Sequence, residues 1–346
     1  MNLFDNINDR NIFIDPIVLD FEYLPKLLPF RESEQHHIAD CIKPLFNNSL
    51  GKNILVIGKP GIGKSAACKF VLRELEEKGL DEKIIPLYIN CWKNNTEHQF
   101  LLEICNQIDY KFTQNKTSLD LLKTISKILN KKAVVICLDE VDKLADYSII
   151  YNLIEDIFKK TLILITNKTS FLAELDKRIH SRLTPEIINF KHYNYEETKE
   201  ILKQRMDLAF NKNTFEQEAF EEISAKSAYE KDIRLGLTLL KESAATAELK
   251  NNSVVKKEHV IEAINKLFPE EEITKEIENK IISLLKEKKQ LTTKEILNEL
   301  NDKKINYRQL TVIISKMKDK KLITTNIIAK GKYGNIPVHS LVSTVL

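Results

Sequence analysis

The chain has 346 residues, of which 43% are hydrophobic and 30% charged, and its net charge at pH 7 is +3. This length allows two or three domains with buried cores, and so small a net charge does not by itself indicate a nucleic-acid partner. The five cysteines are odd in number and never spaced C-x-x-C, which argues against a disulfide framework and against a zinc ribbon. Because the sequence shows neither a signal peptide nor an apolar run approaching about 18 residues, we expect an intracellular, cytoplasmic protein.

The first part of the chain alternates short apolar strands with helical segments, a pattern typical of a parallel sheet covered on both faces. The predicted strands are residues 53–58, 84–90, 133–138, 162–166 and 187–190, and a helix is predicted at 64–78. After residue 191 the pattern becomes helical, with helices predicted at 196–210, 217–227, 233–249 and 257–267. Pro269 and the three glutamates after it break this pattern, which predicts a linker.

A phosphate-binding motif follows the first predicted strand. The residues Gly58, Lys59, Pro60, Gly61, Ile62, Gly63, Lys64 and Ser65 fit G-x-x-x-x-G-K-[ST], and Ala66 continues into the predicted helix. Glycines let successive backbone N–H groups point at phosphate oxygens, while Lys64 reaches the outer phosphates and the Ser65 hydroxyl is placed for Mg²⁺. The alternative is an ordinary turn between a strand and a helix. The strand before the motif and the helix after it favour a nucleotide site.

Polar side chains end the third and fourth predicted strands. Asp139 would hold Mg²⁺ through water, and Glu140 would polarise an attacking water. Taken alone, this pair is typical of a solvated strand end, but about 75 residues after a phosphate loop it indicates nucleotide hydrolysis. Asn167 would lie beside the γ-phosphate, or else simply form a turn. Farther on, Arg178 and Arg182 share one helical face, which in isolation would be a solvated basic face.

The C-terminal part has its own pattern, with helices predicted at 293–301 and 306–320 and strands at 322–329 and 338–342. This order indicates a winged helix-turn-helix. Residues 301–346 carry a net charge of +7 and the rest of the chain −4, so this part is the candidate for binding a polyanion. The candidate DNA contacts are Arg308, Gln309, Lys316 and Lys318 on the second helix and Lys330, Lys332 and Tyr333 at the wing. A winged domain that binds only protein is the alternative.

Together these motifs resemble the archaeal origin-recognition initiators, which are AAA+ ATPases related to the eukaryotic origin-recognition and cell-division-control loaders. The resemblance rests on the phosphate loop and on the order of several shorter motifs. These include Pro29-Phe30-Arg31-Glu32, Asp139-Glu140, Thr166-Asn167, the stretch at residues 171–181, and Asp232-Ile233-Arg234.

The resemblance implies an α/β P-loop AAA+ domain with a five-stranded parallel sheet (residues 1–190), a helical lid (191–268) and a C-terminal winged helix-turn-helix (269–346). It implies that Pro29, Phe30 and Arg31 flank the adenine. Asn167 would be the first sensor and Arg234 the second, swung from the lid onto the γ-phosphate. Arg182, rather than Arg178, would be an arginine finger acting on a neighbouring subunit. Lys231 stands where the family usually has glycine, so the turn before Arg234 is expected to differ and hydrolysis to be slow.

The function implied is that of an ATP- and Mg²⁺-dependent initiator that binds duplex origin DNA, helps recruit the replicative helicase and self-associates through Arg182. Such a protein would be associated with the nucleoid and not with a membrane. Two alternatives stay open at this stage. One is a winged-helix transcription regulator with a signalling ATPase domain, and the other is an ATP-locked DNA-binding scaffold with negligible turnover.

Overall fold

The computed structural model describes residues 12–300, 306–329 and 335–342. The chain divides into two compact units, with the division between Val260 and Ile261. Across the described ranges, the helices are too short or too polar to cross a membrane.

The first unit is built on a five-stranded sheet in the order β2-β3-β4-β1-β5. The strands are β1 (Ile54–Ile57), β2 (Ile84–Asn90), β3 (Ala133–Asp139), β4 (Lys160–Thr166) and β5 (Glu186–Asn189). The helices between and before them are α1 (Glu32–Ile42), α2 (Lys64–Glu77), α3 (Glu97–Gln107), α4 (Ser118–Leu129), α5 (Ser148–Asp156), α6 (Phe171–Glu174) and α7 (Lys177–Leu183). All neighbouring strands pair in parallel, so the predicted sheet is confirmed.

Both faces of this sheet are buried. In β1, Leu55 and Ile57 belong to the apolar cluster shared with α3, α4 and α5, whereas Ile54 and Val56 belong to the cluster shared with α1 and α2. A strand buried on both faces is apolar throughout, which explains the continuous runs in the sequence. Because the strands are parallel, the ends of β1, β3 and β4 lie at one edge of the sheet, where open α/β sheets bind ligands.

Four helices follow the sheet: α8 (Tyr195–Ala209), α9 (Gln217–Glu230), α10 (Ile233–Leu249) and α11 (Lys257–Leu267). The turn between α9 and α10 is left-handed at Lys231, with φ +59°. Asp232 then caps α10 by accepting a hydrogen bond from the Arg234 backbone N–H at 2.8 Å. Lys231 thus adopts a left-handed conformation, which has a higher steric cost for lysine than for glycine. The turn before Arg234 is left-handed despite the substitution.

The predicted linker at Pro269 was wrong, because a helix, α12 (Pro269–Lys288), begins there. Proline is tolerated at the first position of a helix because that backbone N–H has no intrahelical partner to lose. The interruption lies at Phe268 instead, the single residue between α11 and α12, which has φ −126°. Residues that precede proline are disfavoured in the helical conformation.

The second unit continues with β6 (Leu291–Thr292), α13 (Thr293–Leu300), α14 (Tyr307–Asp319), β7 (Ile323–Ala329) and β8 (Asn335–Leu341). Its strands form an antiparallel sheet in the order β6-β8-β7. Apolar side chains of α12, α13, α14 and the strands form one buried cluster. The order helix, strand, helix, helix, strand, strand is that of a winged helix. The predicted wing residues Lys330, Lys332 and Tyr333 lie outside the described residues.

Candidate nucleotide-binding site

The phosphate loop has the conformation that its glycines allow. Gly61 and Gly63 have φ of +76° and +89°, in the left-handed region. A Cβ at Gly61 would lie 1.9 Å from Asp232 Oδ1, and one at Gly63 would lie 2.8 Å from the Tyr193 hydroxyl oxygen. Both positions therefore need glycine for their backbone angles and for the close approach of neighbouring side chains.

Lys64 begins α2 and is almost fully buried, with 7% of its surface exposed. Its ammonium group donates to the carbonyl oxygens of Gly58 and Lys59, at 2.7 and 2.8 Å. It also donates to Asn167 Oδ1 at 2.7 Å, so the predicted loop lysine and the predicted first sensor are in contact. Burial lowers the pKa of Lys64 to about 8, although the nearby carboxylate of Asp139 acts in the opposite direction.

The two predicted carboxylates lie at the end of β3. Asp139 is buried, and its two oxygens accept hydrogen bonds from the Tyr88 hydroxyl and from the Glu140 backbone N–H. Glu140 has φ +54°. Burial raises the pKa of Glu140, and the charges of Asp139 and Asp142 add to this rise.

Tyr88 was not found by sequence reasoning, because a tyrosine in the middle of β2 is typical of any half-buried strand.

The start of α10 lies against the phosphate loop. The Ile233 backbone N–H donates to the Gly61 carbonyl oxygen at 3.3 Å. Arg234, the next residue, lines the same cavity as Lys64 and Glu140. Its charge adds to the lowering of the Lys64 pKa and offsets part of the rise in the Glu140 pKa. Arg234, the residue predicted to be the second sensor, therefore lies beside the loop.

These groups converge on one cavity of about 590 Å³. The predicted residues that line it are Pro29, Pro60, Gly61, Ile62, Gly63, Lys64, Ser65, Ala66, Asp139, Glu140, Asn167 and Arg234. Phe30, Arg31, Gly58, Lys59 and Arg182 are not among its lining residues.

Arg31 contacts the phosphate loop from outside the cavity. Its guanidinium group donates to the Ile62 carbonyl oxygen at 3.0 and 3.2 Å and to the Lys191 carbonyl oxygen at 2.6 Å. It also lies 3.9 Å from the centre of the Tyr193 ring. This buried arginine fixes the backbone of the phosphate loop, and that backbone positions the loop residues that line the cavity.

Two further arginines contact residues 20–29, the segment that lines one side of the cavity. Arg205 of α8 donates to the Tyr23 carbonyl oxygen at 3.2 Å, and Arg73 of α2 donates to the Pro25 carbonyl oxygen at 2.9 Å. Burial lowers the pKa of Arg205. Sequence reasoning missed both arginines, since neither belongs to a motif and only the fold brings them to this segment.

The two arginines of α7 lie on the surface. Arg182 forms an ion pair with Glu155 and lies 5.3 Å from the centre of the Tyr151 ring. Arg178 forms an ion pair with Asp176, at 3.1 Å, and 79% of its side chain is exposed. Neither arginine reaches the cavity of its own chain.

On α14 of the second unit, the predicted residues Arg308, Gln309, Lys316 and Lys318 are all exposed. Gln309 has an additional structural role, because its side-chain oxygen accepts a hydrogen bond from the Asn306 backbone N–H at 3.1 Å. Asn306 Oδ1 accepts in return from the Gln309 backbone N–H at 2.9 Å, which completes a capping box.

Comparison with known proteins agrees with this geometry. Residues 48–205 match the family model of an AAA domain, and residues 199–265 match that of the Cdc6 AAA+ ATPase-type lid domain. The fold and the site thus define an AAA+ nucleotide-binding protein of the Cdc6 type.

Similarity over the whole chain specifies the family further. The chain is 31% identical to ORC1-type DNA replication protein 1 of Archaeoglobus fulgidus, over 96% of this chain and 89% of that protein. It is 30% identical to ORC1-type DNA replication protein of Desulfurococcus amylolyticus, over 93% and 90%. The fold matches that of Aeropyrum pernix ORC1 in complex with DNA, with a TM-score of 0.68 at 24% identity over 97% of this chain and 94% of that chain. The chain belongs to the family of ORC1-type DNA replication proteins, and the resemblance seen in its motifs is confirmed.

The buried position of Lys64 leads to a prediction about pH. Binding a nucleoside triphosphate requires the charged ammonium, and burial lowers the pKa of Lys64 to about 8 in the free protein. Above that pH, binding must take up a proton, so the affinity for nucleotide should fall by up to about tenfold per pH unit. Below that pH, Lys64 is already charged, and its titration should not change the affinity. Anisotropy of a fluorescent nucleotide from about pH 7 to pH 9.5 measures this dependence.

Lys59→Ala is the matched control for this experiment, since the Lys59 side chain is exposed and only its carbonyl contacts Lys64. This variant should keep both the affinity and the pH dependence, whereas Lys64→Ala should abolish binding while the protein stays folded. Wild-type affinity that does not change across this pH range would contradict the assigned state of Lys64.

Proposed function

We propose that this chain is an ATP-dependent replication initiator, in which nucleotide binds the cavity of the first unit and duplex origin DNA binds the second. The observation that carries the proposal is the convergence of the phosphate loop, the end of β3, the end of β4 and the start of α10 on one cavity. A nucleotide there would contact both the sheet and the helices after it. The nucleotide state could then change the packing of α10 against the loop.

The residues of the cavity fit a nucleoside triphosphate with Mg²⁺. The left-handed glycines leave room for phosphate beside backbone N–H groups, and the N-terminus of α2 favours an anion. Ser65 and Asp139 supply the hydroxyl and carboxylate oxygens that Mg²⁺ prefers, and the ion when bound neutralises charge on the phosphates. Lys64 and Arg234 provide cationic groups for the outer phosphates.

Hydrolysis would then depend on two further side chains. Asn167 accepts a hydrogen bond from Lys64 and so is held where an amide could orient an attacking water. Glu140 would accept a proton from that water, and its raised pKa makes it a better base than an ordinary glutamate. We propose slow hydrolysis to ADP and phosphate that acts as a switch.

Arg182 would act on the nucleotide of a neighbouring subunit. The support is its position, since it lies on the surface of α7 and outside the cavity of its own chain. In this role its ion pair with Glu155 must open before the guanidinium group reaches a neighbouring phosphate. The chain would therefore associate with itself or with other initiator subunits.

The exposed basic residues of α14 support DNA binding by the second unit. The second helix of a helix-turn-helix enters the major groove by its N-terminal end, where Arg308 is located. The relatives are called DNA replication proteins, and one solved relative of similar fold is Aeropyrum pernix ORC1 in complex with DNA. We propose origin DNA as the target and recruitment of the replicative helicase as the outcome, in a protein that works at the nucleoid.

Occupancy of the tagged protein across the host genome tests this function against a transcription regulator. Occupancy confined to replication start sites would support the initiator, whereas occupancy at promoters would support the regulator. Single-turnover hydrolysis measurements distinguish the switch from an ATP-locked scaffold, which should not turn over.

The hydrogen bond from Tyr88 to Asp139 gives a second prediction. Tyr88→Phe removes the hydroxyl that orients the carboxylate, while the ring keeps its place 4.6 Å from Lys69 Nζ. Partners that orient a metal ligand are typically worth ~10- to 100-fold in metal affinity or activity. The Mg²⁺ concentration that gives half-maximal binding of a fluorescent triphosphate should rise by about tenfold or more.

Tyr110→Phe is the matched control, because the Tyr110 hydroxyl accepts from Lys116, a residue that does not line the cavity. It should leave the Mg²⁺ dependence unchanged. An unchanged dependence in Tyr88→Phe as well would show that Tyr88 does not position Asp139.

The two neighbouring residues at the start of α14 should respond differently to substitution. Arg308→Ala should cost ~1–3 kcal/mol on the preferred origin sequence and less on random DNA if the arginine contacts a base edge. Gln309→Ala should also lower the stability of the protein by about 1 kcal/mol, because it breaks the capping box. Binding titrations on both DNAs, with thermal unfolding of each variant, separate the two effects.

Lys286→Ala, an exposed lysine of α12, is the charge-matched control and should keep the preference between the two DNAs. Equal losses on origin and random DNA in Arg308→Ala would show that Arg308 contacts phosphate and does not determine sequence preference.

A further inference from the structure

A cluster of three potential metal ligands lies at the amino-terminal edge of the sheet, opposite the edge of the phosphate loop. It consists of His37 and Cys41 on α1 and Glu186 at the start of β5. Glu186 pairs with Ile54 at the beginning of β1, whereas the phosphate loop follows the end of that strand. The cluster is therefore separate from the proposed nucleotide site.

The donor atoms converge on one carboxylate oxygen. His37 Nε2 lies 2.7 Å from Glu186 Oε2, and the Cys41 thiol donates to the same oxygen at 3.4 Å. All three donor atoms lie within 4.8 Å of one another. In a tetrahedral zinc site, N, O and S ligand atoms lie roughly 3.3 to 3.6 Å apart, as follows from the usual bond lengths. Shifts of about an ångström would bring these donors into that geometry.

We propose that His37, Cys41 and Glu186 bind a thiophilic divalent cation, with Zn²⁺ as the best fit. A thiolate, an imidazole and a carboxylate are a ligand set that suits Zn²⁺ and that Mg²⁺ and Ca²⁺ do not prefer. With three protein ligands, the fourth position is open to water.

The helix and the strand hold the ligands before any metal binds. His37 and Cys41 are four residues apart and so share a face of α1. The Cys41 carbonyl oxygen accepts from the Lys52 backbone N–H at 3.0 Å, and the Glu186 backbone N–H donates to the Asn53 carbonyl oxygen at 2.8 Å. A site of this kind loses little chain entropy when the metal binds.

The charges around the cluster are compatible with a cation. Lys52 Nζ contacts Glu186 through the other carboxylate oxygen, Oε1, at 2.6 Å, so it can stay in place when Oε2 binds a metal. The Cys41 thiol donates to Glu186 and therefore carries its proton in the metal-free protein. Binding of Zn²⁺ releases that proton from sulfur to solvent. Glutamate and thiolate then supply two negative charges to the ion, and Lys52 opposes them with one positive charge.

The cluster is also accessible. The side chains of His37 and Glu186 are 44% and 36% exposed, although Cys41 beneath them is buried. A metal from solution can thus reach the carboxylate and imidazole first. By joining α1 to β5, it would stabilise the first unit in a way that does not depend on nucleotide.

Co²⁺ is the probe that tests this proposal, because its bond to a thiolate gives a charge-transfer band in the near ultraviolet. The full chain is stripped with a chelator, reduced with a phosphine and titrated with Co²⁺ without nucleotide. We expect the band to saturate at one equivalent and to disappear when Zn²⁺ is added. A Co²⁺ ion bound to Ser65 and Asp139 would not give the band, since that site has no sulfur.

Variants assign the band to these residues. His37→Gln, at an exposed position, should weaken Co²⁺ binding by at least ~10-fold, and Cys41→Ser should remove the band. The matched controls His36→Gln and Cys105→Ser, an exposed neighbouring histidine and a buried cysteine of α3, should behave as wild type. Excess Zn²⁺ should raise the unfolding temperature of the wild type and of His36→Gln by several degrees, but not that of His37→Gln.

The proposal is wrong if the wild type gives no band at stoichiometric Co²⁺. It is equally wrong if His37→Gln binds Co²⁺ as tightly as His36→Gln, which would indicate an adventitious ion only. Neither result depends on nucleotide or DNA binding, so the proposed initiator function would be unaffected.

Discussion

The buried guanidinium group of Arg31 is the contact on which the phosphate loop depends. It donates to the backbone of the loop at Ile62 and to the backbone that follows β5 at Lys191, and it stacks on the ring of Tyr193. Removing such a charge from water is costly, and the ion pair with Glu34, the carbonyl oxygens and the aromatic face offset that cost only when their geometry is good. The contact therefore fixes three segments of the chain relative to one another.

The same contact extends to the helices after the sheet. Tyr193, beneath Arg31, approaches Gly63 so closely that only glycine fits there, and the chain enters α8 two residues later. On the other side of the loop, Asp232 and Ile233 contact Gly61. The loop is thus enclosed by the two segments that begin α8 and α10. Movement of either segment would change the conformation of the phosphate loop. This contact gives a physical basis for coupling between nucleotide binding and the position of α8 and α10.

The sequence allowed the sheet and the polar lining of the cavity to be predicted because both are encoded locally. Fully buried strands are continuous apolar runs, and the phosphate loop needs glycines at fixed spacing. The contacts of Arg73 and Arg205 with residues 18–25 could not be predicted, since they join distant parts of the chain. The linker at Pro269 was wrong because a proline that ends one helix can equally begin the next. Gln309 was assigned to DNA without its capping role, although Asn306 three residues earlier was a visible signal of it.

Some of the proposed roles require a second molecule, whereas the fold is a property of one chain. The nucleotide cavity, the capped α14 and the exposed arginines of α7 are features of one chain, whereas origin recognition and action on a neighbouring subunit require partners. Family membership supports the replication role, and the cavity supports the proposal that a nucleotide takes part in it.

Nucleotide affinity in Arg31→Lys tests most directly whether the phosphate loop depends on Arg31. Lysine keeps the charge but lacks the planar guanidinium group, which donates to the Ile62 carbonyl oxygen through two nitrogens and to the Lys191 carbonyl oxygen while it lies over the Tyr193 ring. The loop should therefore lose its fixed conformation. Arg178→Lys, at an exposed arginine outside the cavity, serves as the control. We expect Arg31→Lys to bind a fluorescent nucleotide at least ~10-fold more weakly than the control, a loss of roughly 1–3 kcal/mol. Equal affinity in the two variants, with both folded, would show that the phosphate loop does not depend on Arg31.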